Sequence, residues 1–173
     1  LKKKDNVEVV LFQGDLLKKE DIENFFNTHK DINKIIHLGG GFFGDFEKLF
    51  SINVLTINNL LEQVVKFNIK KIIFTSTGAV YGEPLNGISN ENDELKPNTI
   101  YGLTKMYAEE CIHYYAENFG IEYVILRFPN VYGPGNGKGV IYNFLKSIKE
   151  NGKVTISGTG AQKRNFLFVD DAV

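Results

Sequence analysis

Short apolar segments alternate with amphipathic helical patterns along the first 128 residues, and this alternation limits the possible folds more than any other feature of the sequence. The predicted strands are Val7–Phe12, Lys34–Leu38, Lys71–Ser76 and Ile121–Phe128. The predicted helices, with apolar residues at steps of three and four, are Glu20–His29, Phe46–Phe67 and Thr99–Phe119. Strands that are apolar on both faces need cover on both sides, as in a parallel sheet joined by helices. The sequence therefore predicts an α/β fold built on a doubly wound parallel sheet.

Composition and charge exclude several classes of protein. The chain is 43% hydrophobic, as folded globular domains are, so a disordered or low-complexity protein is excluded. Twenty Lys and Arg residues against 21 Asp and Glu residues leave a formal charge of −1, so we expect no nucleic-acid partner and no membrane partner. Cys111 is the only cysteine, which excludes an internal disulfide and favours a cytoplasmic location. The His and Cys residues show no metal-ligand spacing, so no metal is expected.

A change in composition after Phe128 indicates a boundary. Six prolines and glycines fall within residues 129–139, and a short predicted helix, Ile141–Lys149, follows them. We therefore predict one domain over residues 1–130 and the beginning of a second, smaller region over residues 131–173.

Tyr101 and Lys105 form the strongest candidate for a catalytic pair. They are four residues apart on a predicted helix and so share one face. An ammonium group near a phenol favours the phenolate, and lowering a tyrosine pKa by three units requires roughly 4 kcal/mol of differential stabilisation. The hydroxyl run Thr75–Thr77, at the end of a predicted strand, could relay a proton between the phenol and an alcohol substrate. Taken alone, each feature is also compatible with ordinary surface residues or a solvated turn.

Four motifs in series resemble a known family. They are Phe74–Gly82 (FTSTGAVYG), Tyr101–Lys105 (YGLTK), Leu126–Pro134 (LRFPNVYGP) and Arg164–Asp171 (RNFLFVDD). Their order and spacing resemble the extended short-chain dehydrogenase/reductases, and within these the nucleotide-sugar epimerases of the UDP-glucose 4-epimerase type. The resemblance implies a Rossmann-like sheet, NAD as the cofactor and a nucleotide sugar as the substrate. It also implies a homodimer formed through the helices Phe46–Phe67 and Thr99–Phe119.

The resemblance assigns roles to individual residues. Tyr101 would exchange a proton with the sugar 4-hydroxyl, Thr77 would bridge substrate and tyrosine, and Lys105 would hold the nicotinamide ribose and depress the Tyr101 pKa. The implied cofactor-binding residues are Asp15, Leu16, Leu38, Gly39, Gly40, Asn53, Ser76, Tyr101, Lys105 and Phe128. The implied substrate-binding residues are Thr77, Tyr101, Asn130 and Arg164. A guanidinium fork such as that of Arg164 suits diphosphate oxygens.

The sequence also departs from the family pattern. The opening Gly-x-x-Gly-x-x-Gly turn, which carries the pyrophosphate, and the acidic residue about 20 positions later are absent. The chain stops just after Val169-Asp170-Asp171. We therefore expect a fragment of a longer protein: a partial NAD-binding domain without its first βαβ unit, followed by a partial substrate-binding region.

The residues after Thr77 favour one activity over others. Sugar 4,6-dehydratases of this superfamily have an Asp-Glu pair there, whereas this chain has Gly78 and Ala79, which cannot transfer protons. The preferred interpretation is epimerisation at C4 through a transient 4-keto sugar. The alternatives are an NAD(P)-dependent keto-sugar reductase and an inactive module that acts by binding or dimerisation.

Overall fold

The computed structural model describes residues 9–83 and 87–173. Its strands are β1 (Lys34–His37), β2 (Lys71–Thr77), β3 (Glu122–Phe128), β4 (Asn130–Tyr132) and β5 (Phe166–Phe168). Its α-helices are α1 (Lys19–Thr28), α2 (Phe46–Phe50), α3 (Thr56–Lys66), α4 (Ile100–Phe119), α5 (Gly139–Asn151) and α6 (Val169–Ala172). A π-helical segment, Ser51–Leu55, joins α2 to α3, and a 3-10 turn, Gly78–Tyr81, follows β2. The predicted alternation of strands and helices is confirmed.

The central sheet is parallel, in the order β1-β2-β3. The side chains of Ile72 and Phe74 on β2 are completely buried against helices α3 and α4, whose inner faces contribute Leu61 and Ile112 to the same core. On the opposite face Ile36 of β1 remains 64% exposed. The described helices therefore cover one face of a Rossmann-like sheet.

The first predicted strand, Val7–Phe12, is wrong where the structure can test it. Residues 7 and 8 lie outside the described residues, and residues 9–12 form no strand. A strand needs a neighbour for its backbone hydrogen bonds, and no described strand lies beside this segment. Leu11 is 92% exposed, whereas Phe12 packs edge-on against Phe25 of α1 at 5.3 Å between ring centroids.

The region after residue 129 contains a second small sheet that the sequence did not predict. Strands β4 and β5 are parallel, with Asn130 opposite Phe166 and Tyr132 opposite Phe168. Each strand has only three residues, too few for a recognisable hydrophobic pattern. The division of the chain at residue 130 stays a prediction. Across the described ranges, no helix combines the length and apolar character needed to cross a membrane.

Candidate active site

The carboxyl end of β2 and the first turn of α4 meet at the centre of the candidate site. Thr77 ends β2, and its hydroxyl accepts a hydrogen bond from the Ala79 backbone N–H at 3.2 Å. Helix α4 is capped by Thr99, whose hydroxyl accepts from the Gly102 N–H at 3.0 Å. A Cβ at Gly102 would lie only 2.5 Å from the Ala79 carbonyl oxygen. The helix can therefore start directly against the turn that follows Thr77, which places Tyr101 beside that turn.

Burial is the main influence on the phenol of Tyr101. It raises the pKa of this phenol, and the neighbouring Thr77 hydroxyl opposes this rise without reversing it. The depression of the Tyr101 pKa by Lys105 that the resemblance implied would have to exceed this effect of burial, and it stays a prediction. The role of Thr77 as a bridge between substrate and tyrosine stays a prediction as well.

Lys105 lies almost completely inside the protein, with 3% of its surface exposed. Its Nζ donates to the Thr75 carbonyl oxygen at 2.7 Å and lies 3.9 Å from the centre of the Phe74 ring. Burial lowers the pKa of this amine to about 8, while the carboxylate of Glu109 acts in the opposite direction. The ammonium group is therefore fixed at the carboxyl end of β2, at the same strand end as Thr77.

Asn53 holds the glycine segment that follows β1. This side chain is 2% exposed; its Nδ2 donates to the Gly41 carbonyl at 2.9 Å and to the Thr104 hydroxyl at 3.0 Å. Its Oδ1 accepts from the Gly41 N–H at 2.8 Å. A Cβ at Gly40 would lie 3.1 Å from Asn53 Oδ1 and 3.8 Å from Lys105 Nζ. Asn53 thus fixes the segment against α4, while direct contact with a cofactor stays a prediction.

A cavity of about 320 Å³ opens between the loop before α1 and the end of β1. A second cavity of about 310 Å³ continues from it toward Gly40 and Ile52. Five of the residues that the resemblance assigned to the cofactor line one or both of these cavities: Asp15, Leu16, Leu38, Gly39 and Gly40. The structure therefore brings together predicted residues that are far apart in the sequence.

His37 is the unexpected polar residue of these cavities. It lines both of them and is 5% exposed, yet neither ring nitrogen has a hydrogen-bond partner among the described residues. Its ring packs 5.5 Å from that of Phe74. Burial and the nearby Lys105 charge lower the pKa of His37 to about 4. Its position in the sequence gives no functional signal, since a histidine in an apolar strand is usually a packing residue.

This buried histidine predicts a loss of stability in acid. The unfolded chain takes up a proton near pH 6.5 and the folded chain only near pH 4, so stability falls as the pH drops through this window, by roughly 3 kcal/mol in total. In the variant His37→Phe, the urea concentration at the unfolding midpoint should therefore fall less between pH 7 and pH 4.5 than it does in the wild type. The same pH dependence of the urea midpoint in His37→Phe and in the wild type would contradict the prediction.

A buried ionic network beside the site was missed at the sequence level. The Ser76 hydroxyl donates to the carboxylate of Glu109, which also accepts from Arg127. Ser76 was predicted to bind the cofactor, but its hydroxyl is engaged in this bond. The available signal was the position of Glu109, four residues after Lys105 on the same helix.

The two predicted diphosphate ligands lie near the small second sheet. Asn130 Nδ2 donates to the Asn165 carbonyl at 3.2 Å, and Arg164 is exposed, with its Nη1 on the Lys163 carbonyl at 2.8 Å. Phe128 pairs with Thr77 in the ladder between β2 and β3. Within residues 9–83 and 87–173, no hydrogen bond joins Asn130 or Arg164 to Thr77 or Tyr101. The substrate-binding role of Asn130 and Arg164 stays a prediction. Over the same ranges, no group of three or more His, Cys, Asp or Glu side chains could hold a metal ion.

Comparison with known proteins adds independent information. The model of the NAD dependent epimerase/dehydratase family matches residues 1–173. A putative UDP-glucose 4-epimerase of Methanocaldococcus jannaschii is 45% identical over 125 residues, which cover 69% of this chain and 41% of that protein. A dTDP-D-glucose 4,6-dehydratase of Dictyostelium discoideum is 34% identical, over 94% of this chain and 41% of that protein.

A solved structure gives the same result for the fold. The UDP-glucuronic acid 4-epimerase of Bacillus cereus, in complex with UDP-glucuronic acid and NAD, superposes with a TM-score of 0.82 at 32% identity. The match covers 92% of this chain and 51% of that one. The chain thus spans about half the length of these relatives.

Proposed function

Because the chain belongs to the NAD-dependent epimerase/dehydratase family, we propose that it carries the catalytic face of an enzyme that inverts C4 of a nucleotide sugar through a transient 4-keto intermediate. The observation that carries this proposal is the meeting of Thr77, Tyr101 and Lys105 at one strand end. All three groups needed for proton exchange with a sugar alcohol are present there.

The residues present fit a dinucleotide cofactor. Glycines line the cavities at the end of β1, where the backbone can come close to a ligand. The unpaired nitrogens of His37 offer hydrogen-bonding capacity at the cavity wall. Asp15, Gly39, Gly40 and Lys105 would hold NAD along this groove. When bound, NAD⁺ would supply a positive charge near the phenol and the capacity to accept the C4 hydride and give it back, which would leave no net oxidation.

Tyr101 is the proposed acid and base. Its phenol exchanges the proton of the sugar 4-hydroxyl, directly or through the Thr77 hydroxyl. The raised pKa keeps the phenol protonated before substrate and cofactor bind. Cationic charge close to the phenol is therefore needed for it to act as a base. Lys105 is fixed one helical turn from Tyr101 and supplies part of that charge.

The turn after Thr77 separates this proposal from dehydration. Elimination of water from the sugar needs an additional acid and base beside the threonine. The residues there are Gly78 and Ala79, which form the 3-10 turn against which α4 starts. This favours the epimerase over the 4,6-dehydratase, although both kinds of relative are similar to the chain.

The proposed activity can be tested with the full-length protein. Incubation with NAD⁺ and UDP-glucose, or UDP-glucuronic acid as a second probe, should yield the C4 epimer with unchanged mass and without accumulation of reduced nicotinamide. Proton NMR identifies the epimer, and absorbance at the reduced-nicotinamide band measures net redox. Stoichiometric reduced cofactor would indicate a keto-sugar reductase instead, and a product lighter by one water would indicate a dehydratase.

The partners and location follow as further proposals. Asn130 and Arg164 would contact the diphosphate of the nucleotide sugar, since both side chains are exposed and polar.

A homodimer is supported by an exposed aromatic patch of Phe46 and Tyr107 around Phe50, on neighbouring helices. A cytoplasmic location is supported by the single, free thiol of Cys111.

A further inference from the structure

A buried carboxylate connects three elements around the candidate site. Glu109 has no exposed surface and lies on α4, one turn after Lys105. It accepts a hydrogen bond from the Ser76 hydroxyl on β2. Arg127 on β3 donates to its Oε2 through Nε at 3.1 Å and through Nη2 at 2.8 Å. Such a charge-assisted, two-pronged arrangement fixes geometry more tightly than a single neutral bond.

Arg127 extends this network to the segment after β2. Its Nη1 donates to the Tyr81 hydroxyl at 2.7 Å and to the Glu91 carbonyl at 3.1 Å. Burial alone would lower the pKa of the guanidinium, but the bonds to Glu109 and Tyr81 outweigh burial and raise that pKa above its ordinary value. The 3-10 turn that begins after Thr77 is therefore tied at its far end to the same ion pair.

Lys105 lies one helical turn before Glu109 on α4, and both side chains are buried. The charged and titratable groups that act on the Lys105 ammonium are Glu109 on α4 and His37 on β1, and its Nζ donates to the Thr75 carbonyl on β2. Burial lowers the pKa of the Lys105 amine to about 8, and the Glu109 charge opposes this shift by favouring the ammonium form. Removal of the Glu109 charge would lower this pKa further.

We propose that Glu109 is a positioning residue for the catalytic face: held by Arg127, it fixes the carboxyl end of β2 and supplies the negative charge that keeps Lys105 in its ammonium form. The catalytic part of this inference rests on the proposed epimerase function, whereas the charge on Lys105 can be measured without any activity.

The test uses Glu109→Gln in the full-length protein. This variant keeps the size of the side chain and removes its charge. We expect the Lys105 titration midpoint, followed by the ¹³Cε NMR signal and assigned by its loss in Lys105→Arg, to fall by roughly one pH unit. The alkaline limb of kcat/KM should move down by a similar amount. Glu110→Gln, the same change at the next, exposed residue of α4, should shift neither.

Two further variants separate charge from shape. Glu109→Asp keeps the charge but shortens the side chain, so the Lys105 midpoint should stay near the wild-type value while kcat falls. If Glu109→Gln does not fold, the double variant Glu109→Gln/Arg127→Met removes both charges of the ion pair together, which proteins tolerate better than a single unpaired charge. Its Lys105 midpoint should again lie below that of the wild type.

The outcomes distinguish this proposal from the proposed function. If a folded variant without the Glu109 charge had the same Lys105 titration midpoint as the wild type, the proposed role of Glu109 would be overturned. A fall in kcat in that variant would then have a purely structural cause. A lowered midpoint in a protein that shows no epimerase activity would support the role of Glu109 and contradict the proposed function.

Discussion

Replacing Tyr101 with Phe in the full-length protein should lower kcat by about two to four orders of magnitude, the usual contribution of a positioned acid or base. The phenol hydroxyl is the group that exchanges the proton of the sugar alcohol, and phenylalanine lacks it. The ring itself should remain in place, because it packs edge-on against Phe42 at 6.4 Å between centroids and phenylalanine preserves that contact. NAD binding should therefore persist, and calorimetric titration measures it.

The matched control for this change is Tyr107→Phe. Tyr107 lies six residues further along the same helix, and its ring is part of the aromatic patch around Phe50 rather than of the strand end that holds Thr77. The kcat of Tyr107→Phe should equal that of the wild type. If Tyr101→Phe turned over substrate as fast as Tyr107→Phe, Tyr101 would not be the acid and base, and the proposed mechanism would fail.

The general form of the fold could be predicted because its signal is local. The strands β1, β2 and β3 are short apolar runs, and α3 and α4 show apolar residues at helical spacing. The segment Val7–Phe12 has a similar apolar composition, yet its described part forms no strand, since backbone pairing depends on a neighbour rather than on composition. The three-residue strands β4 and β5 form through their mutual pairing, which no local pattern reveals.

The candidate site likewise contains features that could be predicted from the sequence and features that could not. Tyr101 and Lys105 could be paired from their spacing alone, because residues four apart share a helix face. The direction of the Tyr101 pKa could not be predicted, since it depends on how deeply the folded chain buries the phenol. Glu109 and Arg127 are 18 residues apart and meet only after α4 packs on the sheet. Their ion pair is a property of the tertiary structure.

Gly102 is a position where a single added methyl group should disturb the site without removing a reactive atom. An added Cβ would lie 2.5 Å from the Ala79 carbonyl oxygen and 3.0 Å from its carbon, and backbone atoms cannot move aside as a flexible side chain can. The first turn of α4 would have to shift away from the 3-10 turn that follows Thr77. Tyr101 is the neighbouring residue and would move with it.

Gly102→Ala should therefore lower kcat by about 100-fold, the scale of loss that a misplacement of about 1 Å produces. The control is Gly120→Ala at the other end of α4, where the added methyl group has open space but the left-handed backbone, with φ of 68°, costs about 1 kcal/mol. The Tm of Gly120→Ala, measured by thermal unfolding, should be lower than that of the wild type, while its kcat stays unchanged. Wild-type kcat in folded Gly102→Ala would mean that the spacing between Thr77 and Tyr101 does not limit catalysis.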